Sequence, residues 1–271
     1  MISPSAIRKQ SGFTLVELAI VLVIIGLIIS GILVGADLVN NAEIRKTISM
    51  VEKTNQAALT FRGKYQGVPG DITDLRAESF GLNANRTGAP GIGDGNSLVE
   101  GCSANATALG CENVLFYDDL TQARLVDTAL GPRTVGESTA VIPSITTNGM
   151  ATYLPSLRLR ETSFLAVFPH QGRNYFMMAT IGTNGTGALT TTAGVTPLES
   201  DSIDNKVDDG FGLTGDVRAI TGVTANAGFT QPTPAAPAVG VCVSNVGGNR
   251  YNTGDTFMNI VSCQLAIRTS F

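Results

Sequence analysis

The strongest pattern in the chain is a long apolar run near its start, Phe13–Ala36, in which Glu17 is the single charge. A helix needs about 20 mainly apolar residues to cross the hydrocarbon core of a bilayer, so residues 13–36 predict a transmembrane helix. Arg8 and Lys9 precede the run, and the next basic residue is Arg45. Because basic residues stay on the cytoplasmic side, we expect a cytoplasmic N-terminus and an exported remainder.

A removed secretory signal peptide is the alternative explanation of this segment, since such signals also place basic residues before apolar ones. They end in small residues at a cleavage site, and Val34-Gly35-Ala36 provides such residues. The apolar run is longer than the core of a typical signal peptide, however, which favours the membrane helix.

Residues 37–66 continue the helical pattern in an amphipathic form. Their apolar positions recur every three or four residues: Ile44, Ile48, Val51, Ala58 and Phe61. The charged residues lie mainly off this stripe, so one face of the helix is predicted to pack against a sheet. Gly63, Gly67, Pro69 and Gly70 predict the end of the helix.

Residues 67–271 alternate short apolar stretches with turn-forming residues, which predicts a loop-rich globular domain. Strands are expected at Phe164–Phe168, Tyr175–Ile181 and Phe257–Ile267, and the first two are expected to form a hairpin. Val114–Leu125 predicts a short helix. The expected fold class is therefore α+β, with a long N-terminal helix packed on a domain that contains an antiparallel β-sheet.

Another helix is predicted to begin at Thr196, because Thr196, Pro197 and Glu199 have the spacing of an N-cap, a first-turn proline and a capping box. Its acidic residues form a cluster along one side and just past its end: Asp201, Asp204, Asp208 and Asp209. Clustered carboxylates suit calcium, although the spacing differs from that of an EF-hand loop. The other interpretation, which we favour, is a solvated face paired with Lys206 or a distant arginine.

Composition narrows the possible functions. Only 15% of the residues are charged and the formal net charge is −4, which argues against nucleic acid as the main partner. The one histidine, His170, has no accompanying nucleophile or carboxylate motif, so a turn between two strands is its expected place. We therefore expect a protein that is not an enzyme.

The segment Gly12–Leu18, with the sequence GFTLVEL, resembles the processing signal of type IV prepilins and type II secretion pseudopilins. The resemblance implies that a prepilin peptidase removes the leader, residues 1–12, by cutting between Gly12 and Phe13, and that Phe13 is then N-methylated. It also implies that Glu17 pairs with the terminal ammonium of a neighbouring subunit. Two buried charges are tolerated when each neutralises the other.

The same resemblance implies a pilin-like fold and a structural role. The precursor would be anchored in the inner membrane by one span, with residues 67–271 in the periplasm. The processed chain would then assemble with like subunits into a pilus or pseudopilus. Its length and loop-rich domain favour a minor or specialised subunit. The alternative is a membrane-anchored exported binding module or adhesin that forms no filament.

All four cysteines lie in the predicted exported domain: Cys102, Cys111, Cys242 and Cys263. Outside the cytoplasm an even number of cysteines favours disulfide bonds, and four cysteines allow three pairings. The simplest pairing joins nearest neighbours, Cys102–Cys111 and Cys242–Cys263. A bond near the C-terminus also resembles the disulfide-closed loop of type IV pilins.

Overall fold

The computed structural model describes most of the chain. It consists of two compact units, and the boundary between them in the sequence lies between Glu43 and Ile44. The described residues are 14–82, 93–100, 112–127, 130, 147–157, 159–160, 162–183, 189–224, 228–246, 248–254 and 256–271. The first unit is helical, and the second contains the sheet and the other helices.

Helix α1 runs from Leu15 to Tyr65, so the apolar run and the amphipathic stretch form one helix of 51 residues, as predicted. Among its described residues, none before Ile44 is buried. From that point one face is buried: Ile44, Thr47, Val51, Thr54, Ala57, Ala58, Phe61 and Tyr65. Thr54 fits this apolar face because its hydroxyl donates to the carbonyl of Met50 at 2.8 Å.

The described residues contain seven strands: β1 (Ser163–His170), β2 (Arg173–Thr183), β3 (Leu189–Thr192), β4 (Val217–Ile220), β5 (Gly222–Thr224), β6 (Gly228–Thr230) and β7 (Gln264–Arg268). Five of them form an antiparallel sheet in the order β1-β2-β7-β4, with β3 paired to the end of β2. β5 and β6 form a separate hairpin. The α+β prediction and the β1–β2 hairpin are confirmed.

The C-terminal strand is shorter than the sequence predicted. The expected strand, Phe257–Ile267, is wrong in its first part, because Phe257 and Met258 donate their backbone N–H groups to the carbonyl of Gly254 in a local turn. Regular pairing begins only after Cys263, at Gln264. β7 then lies between β2 and β4 in the middle of the sheet, where Leu265 and Ala266 are fully buried.

The described part of the second unit contains three further helices, α2 (Asp74–Ser79), α3 (Glu112–Gln122) and α4 (Pro197–Val207), and a 3-10 turn at Thr147–Thr152. α3 begins and ends earlier than predicted. Arg124 has a φ of 57°, and the N–H of Leu125 donates to the carbonyl of Leu120 at 2.9 Å, which is the hydrogen-bond pattern of a Schellman stop. α4 has the expected capping box, in which Thr196 and Glu199 bond each other's backbone N–H groups.

One hydrophobic core joins the buried face of α1 to the sheet and to α3. Its largest fully buried side chains include Phe61 of α1, Phe116 of α3, and Phe164 and Phe176 of the sheet. Phe116 and Phe176 make an edge-to-face contact at 6.3 Å between ring centroids, and Phe271 contacts both rings. Aromatic pairs of this kind add about 0.5–1.5 kcal/mol to the free energy gained by burying their surface.

Candidate functional site

The start of α1 is organised by a capping box that involves the only charge of the apolar run. The backbone N–H and the hydroxyl of Thr14 donate to the Glu17 carboxylate at 2.7 and 2.8 Å, and the Glu17 N–H donates back to the hydroxyl at 3.3 Å. These are the reciprocal bonds of a threonine N-cap with a glutamate three residues later. Glu17 is thus held at the exposed tip of the helix in the single chain.

This box was absent from our sequence-based expectations, although its signal is present in the sequence. Thr14 and Glu17 have the Thr-x-x-Glu spacing that identified the same motif at Thr196 and Glu199. The bonds give Glu17 a partner within its own chain. Gly12 and Phe13, the predicted cleavage and methylation residues, lie outside the described residues.

The first half of α1 exposes an unusually large apolar surface. Every large apolar side chain from Leu15 to Val39 is at least 46% exposed, and Leu15 itself is 85% exposed. This helix is long and apolar enough to cross a membrane, judged by length and composition. A surface of this size is not left in water, because single patches on soluble monomers reach only about 300–600 Å².

The glycines of this segment leave its surface open. A Cβ atom built on Gly26, Gly31 or Gly35 would meet nothing within 4 Å. Gly31 and Gly35 are four residues apart, the small-xxx-small spacing that lets two helices approach closely in a membrane. The structure therefore gives these glycines no packing role inside the chain itself.

A comparison with protein families decides the nature of this segment. Residues 7–33 match the family model of the prokaryotic N-terminal methylation motif. The N-terminal segment is a signal of the type IV prepilin and pseudopilin kind. The match covers the second half of the leader, the predicted cleavage point and most of the apolar run, so the resemblance found in residues 12–18 is confirmed. No curated protein and no solved structure matches the chain.

The prepilin signal and the exposed helix together support an exported, membrane-anchored precursor and point to a structural subunit. The remaining candidate residues lie in the second unit, residues 44–271.

The cysteines near the C-terminus form one of the two bonds of the nearest-neighbour pairing. Cys242 and Cys263 are joined at an S–S distance of 1.99 Å. The bond closes a loop whose end is fixed to the sheet region, because Val195 and Cys263 form an antiparallel bridge. Cys102 and Cys111 lie outside the described residues.

Three of the four acidic residues predicted as a calcium set converge just past α4. Carboxylate oxygens of Asp204, Asp208 and Asp209 lie within 4.8 Å of one another, whereas Asp201 is not part of this group. Asp204 is fully buried, accepts from the N–H of Gly210 and the hydroxyl of Tyr251, each at 2.9 Å, and has a pKa raised by burial to about 6.

The two exposed members of this group organise the turn after α4. Asp209 accepts from the N–H of Phe211 at 2.8 Å and from the hydroxyl of Thr214 at 2.7 Å. Asp208 accepts from the N–H groups of Asp216 and Val217. These donors offset the unfavourable position of acidic residues at the negative end of the helix dipole. Calcium at this turn stays a prediction.

A second carboxylate group escaped the sequence analysis. Asp71, Asp94 and Glu112 have oxygens within 4.8 Å of one another, and Asp71 and Glu112 are only 2% and 0% exposed. The residues are far apart in the sequence, and the only local signal was the run of glycine turns around Asp94. Tertiary contacts between the end of α1, residues 93–100 and α3 bring them together.

His170 occupies the place expected for it, at the end of β1 beside the turn that leads to β2. Its ring stacks on Phe229 at 3.9 Å between centroids, and its Nδ1 accepts from the N–H of that residue at 3.3 Å. These contacts give the histidine a structural role in holding β6 against the sheet.

Proposed function

We propose that the chain is a structural subunit of a type IV pilus or a type II secretion pseudopilus. After removal of residues 1–12, it polymerises through the N-terminal half of α1. The observation that carries this proposal is the prepilin signal at residues 7–33, which overlaps an apolar helix in which no described residue before Ile44 is buried.

The polymer would bury what the single chain exposes. Apolar burial contributes about 25 cal/mol per Å² removed from water, and the bilayer provides that environment before assembly. In the filament the same side chains, from Leu15 to Val39, would pack on neighbouring copies of the helix. The open surface at Gly31 and Gly35 allows close approach of two such helices.

Glu17 would set the axial position of each subunit. In the single chain its carboxylate bonds Thr14, and in the filament the N-methylated ammonium of a neighbour's Phe13 would replace or share that bond. A charged hydrogen bond in an apolar surrounding is about twice as strong as a neutral one, and an unpaired carboxylate there is costly. Subunits without the pairing would therefore be excluded.

The test uses Glu17→Ala, with Glu52→Ala as a matched control on the same helix, because Glu52 is exposed beyond the apolar segment. Thr14→Ala separates the capping box from the charge, since it removes the donor hydroxyl and keeps the carboxylate. Each variant is expressed in the native host, and the protein is measured in sheared filaments and in the inner-membrane fraction.

We expect Glu17→Ala to remain in the membrane and to be lost from filaments at least tenfold, whereas Glu52→Ala assembles normally. Thr14→Ala should assemble, because the intersubunit charge pair is intact. If Glu17→Ala assembles as well as the control, the charge of Glu17 does not set the subunit position. If the wild-type chain itself stays in the membrane and is absent from the sheared filaments, the helix is a membrane anchor only. The chain would then be a binding module or adhesin that forms no filament.

A further inference from the structure

Asp71 and Glu112 form a buried pair of carboxylates at the junction of three segments. Asp71 belongs to the connection between α1 and α2, and Glu112 is the first residue of α3. The two segments approach closely: a Cβ on Gly70, whose φ is 88°, would lie 2.3 Å from the carbonyl oxygen of Glu112. The N–H of Gly70 also donates to Asp119 of α3 at 2.7 Å.

The pair holds a short segment, residues 93–100, which we call the strap. The N–H groups of Gly95 and Ser97 donate to Asp71 at 2.8 and 2.6 Å. The N–H groups of Gly93 and Glu100 donate to Glu112 at 2.7 and 2.8 Å. Both oxygens of each carboxylate therefore accept from the strap, and four of its backbone N–H groups depend on these two side chains.

The strap is fixed on its other side by the sheet. Asn174, at the start of β2, accepts from the N–H of Val99 and donates to the carbonyl of Ser97, both at 2.9 Å. Together with Arg62 and Arg173, residues 96–98 line an open groove of about 530 Å³. The strap is thus a wall of a surface groove, and the pair lies beneath that wall.

The charged groups that the described residues place around the pair are all acidic. Asp94 lies within 4.8 Å of it on the strap, Asp119 faces the same junction from α3, and Glu100 is a strap residue whose N–H donates to Glu112. No lysine, arginine or histidine among the described residues neutralises the two carboxylates. Burial and the charge of the partner raise the pKa of Glu112 to about 9, and burial raises the pKa of Asp71 to about 6.

Two carboxylates that are buried within 4.8 Å of each other, with no basic group of the described residues beside them, favour retention of a proton, because desolvation and their mutual repulsion both disfavour the doubly charged pair. Each carboxyl oxygen has a second lone pair, so a proton on one of the two groups is compatible with the four bonds from the strap. We propose that the Asp71–Glu112 pair retains one proton at neutral pH and so forms a proton-dependent clasp on the strap and its groove.

The direction of the pH dependence follows from the raised pKa of Glu112. When the strap is open, Glu112 has the ordinary glutamate pKa of 4.5 and loses its proton, whereas in the closed clasp its pKa is about 9 and it keeps the proton. The clasp is therefore most stable at acidic pH and weakens as the pH rises through this window. With one proton linked, the open fraction should increase by about tenfold per pH unit.

The first measurement is a direct observation of the proton. The infrared spectrum of the full-length chain in detergent, recorded at pH 7.5, should contain the C=O stretching band of a protonated carboxyl group. Glu112→Gln should remove that band, and Glu78→Gln, a change at an exposed residue of α2, should leave it. Absence of the band in the wild-type chain would overturn the proposal.

The second measurement is hydrogen exchange of the strap amides, expressed as protection corrected for the intrinsic rate at each pH. Between pH 6 and pH 8 the protection of Gly95, Ser97 and Glu100 should fall by about a hundredfold in the wild type, at one decade per pH unit. Glu112→Gln or Asp71→Asn should flatten this dependence, while Glu78→Gln should preserve it.

Two results would contradict the clasp. A wild-type strap whose protection is independent of pH would mean that no proton is linked to its opening. A strap that is protected only when millimolar Ca²⁺ is present, with no carboxyl band in its absence, would mean that a cation rather than a proton neutralises the pair. Both Glu112→Gln and Asp71→Asn are measured, because each substitution also removes an acceptor for one of the four bonds from the strap.

Discussion

The hydrogen bond between Tyr251 and Asp204 gives the sharpest prediction about the acidic turn after α4. The Tyr251 hydroxyl donates to the buried Asp204 carboxylate at 2.9 Å, and Gly210 supplies the other donor. In Tyr251→Phe one carboxylate oxygen loses its partner in a buried site. Hydrogen bonds to charged groups contribute about 1.5–3 kcal/mol, so we expect a loss of about 2 kcal/mol in the free energy of unfolding.

The assay is thermal and urea unfolding of the full-length protein in detergent at pH 7.5, in the presence of a chelator. For a domain of this size 1 kcal/mol corresponds to about 2–4 °C, so the Tm should fall by about 4–8 °C. Tyr175→Phe is the matched control, because Tyr175 is also buried and its hydroxyl has no hydrogen bond to any described residue.

A double-mutant cycle with Asp204→Asn then measures the coupling between the two side chains. If Tyr251→Phe costs no more than Tyr175→Phe, the bond does not stabilise this turn, and our structural explanation of the acidic cluster is refuted. If millimolar Ca²⁺ raises the Tm of the wild type but not of Asp209→Asn, the acidic turn after α4 binds calcium.

Three further predictions concern the packing of the exported domain. Phe61→Ala removes a fully buried ring from α1 and should cost about 3–5 kcal/mol, measured by urea unfolding, whereas a cost below 1 kcal/mol would contradict a shared core. Gly194→Ala places a Cβ 2.6 Å from the backbone nitrogen of Thr180 and should lower the free energy of unfolding. Gly63→Ala, whose Cβ would meet nothing within 4 Å, should instead stabilise the helix by about 0.5–1 kcal/mol. Equal effects of the two substitutions on the free energy of unfolding would refute the clash at Gly194. Replacing both Cys242 and Cys263 by serine should cost about 3 kcal/mol by the loop-entropy estimate, and an unchanged unfolding midpoint would argue against the bond.

The features that the sequence predicted correctly are those with local, periodic signals. The apolar run and the stripe from Ile44 to Phe61 follow the helical repeat, and α1 forms over both. Thr196, Pro197 and Glu199 define the start of α4 through contacts within one turn, so no tertiary information is needed. The prepilin signal is equally local, since it lies in consecutive residues.

The features that escaped prediction depend on contacts between distant segments. The stretch Phe257–Ile260 has residues suited to a strand, but its backbone bonds are satisfied in a local turn and pairing starts at Gln264. The Asp71–Glu112 pair exists only because Gly70 brings its segment against α3. The capping box at Thr14 and Glu17 was local and predictable, and it was hidden by the membrane-helix interpretation of the same residues.

The exported domain contains fewer residues with an assignable function than the N-terminal segment does. Its acidic turn, its disulfide and His170 all have structural explanations in the contacts around them. The groove beside the strap, lined by Arg62 and Arg173, is the part of the described surface whose shape depends on the clasp. The described contacts of this domain are therefore structural, and the prepilin signal remains the feature that points to a structural subunit.

The central claim, processing at the prepilin signal, is tested most directly by intact mass and N-terminal analysis of the protein purified from its native membrane. We predict a chain that begins at N-methylated Phe13 and lacks residues 1–12. A chain that keeps Met1 in cells carrying the peptidase would contradict the prepilin assignment. A chain cut near Ala36 would instead show a removed signal peptide and would lack the apolar half of α1 that the assembly requires.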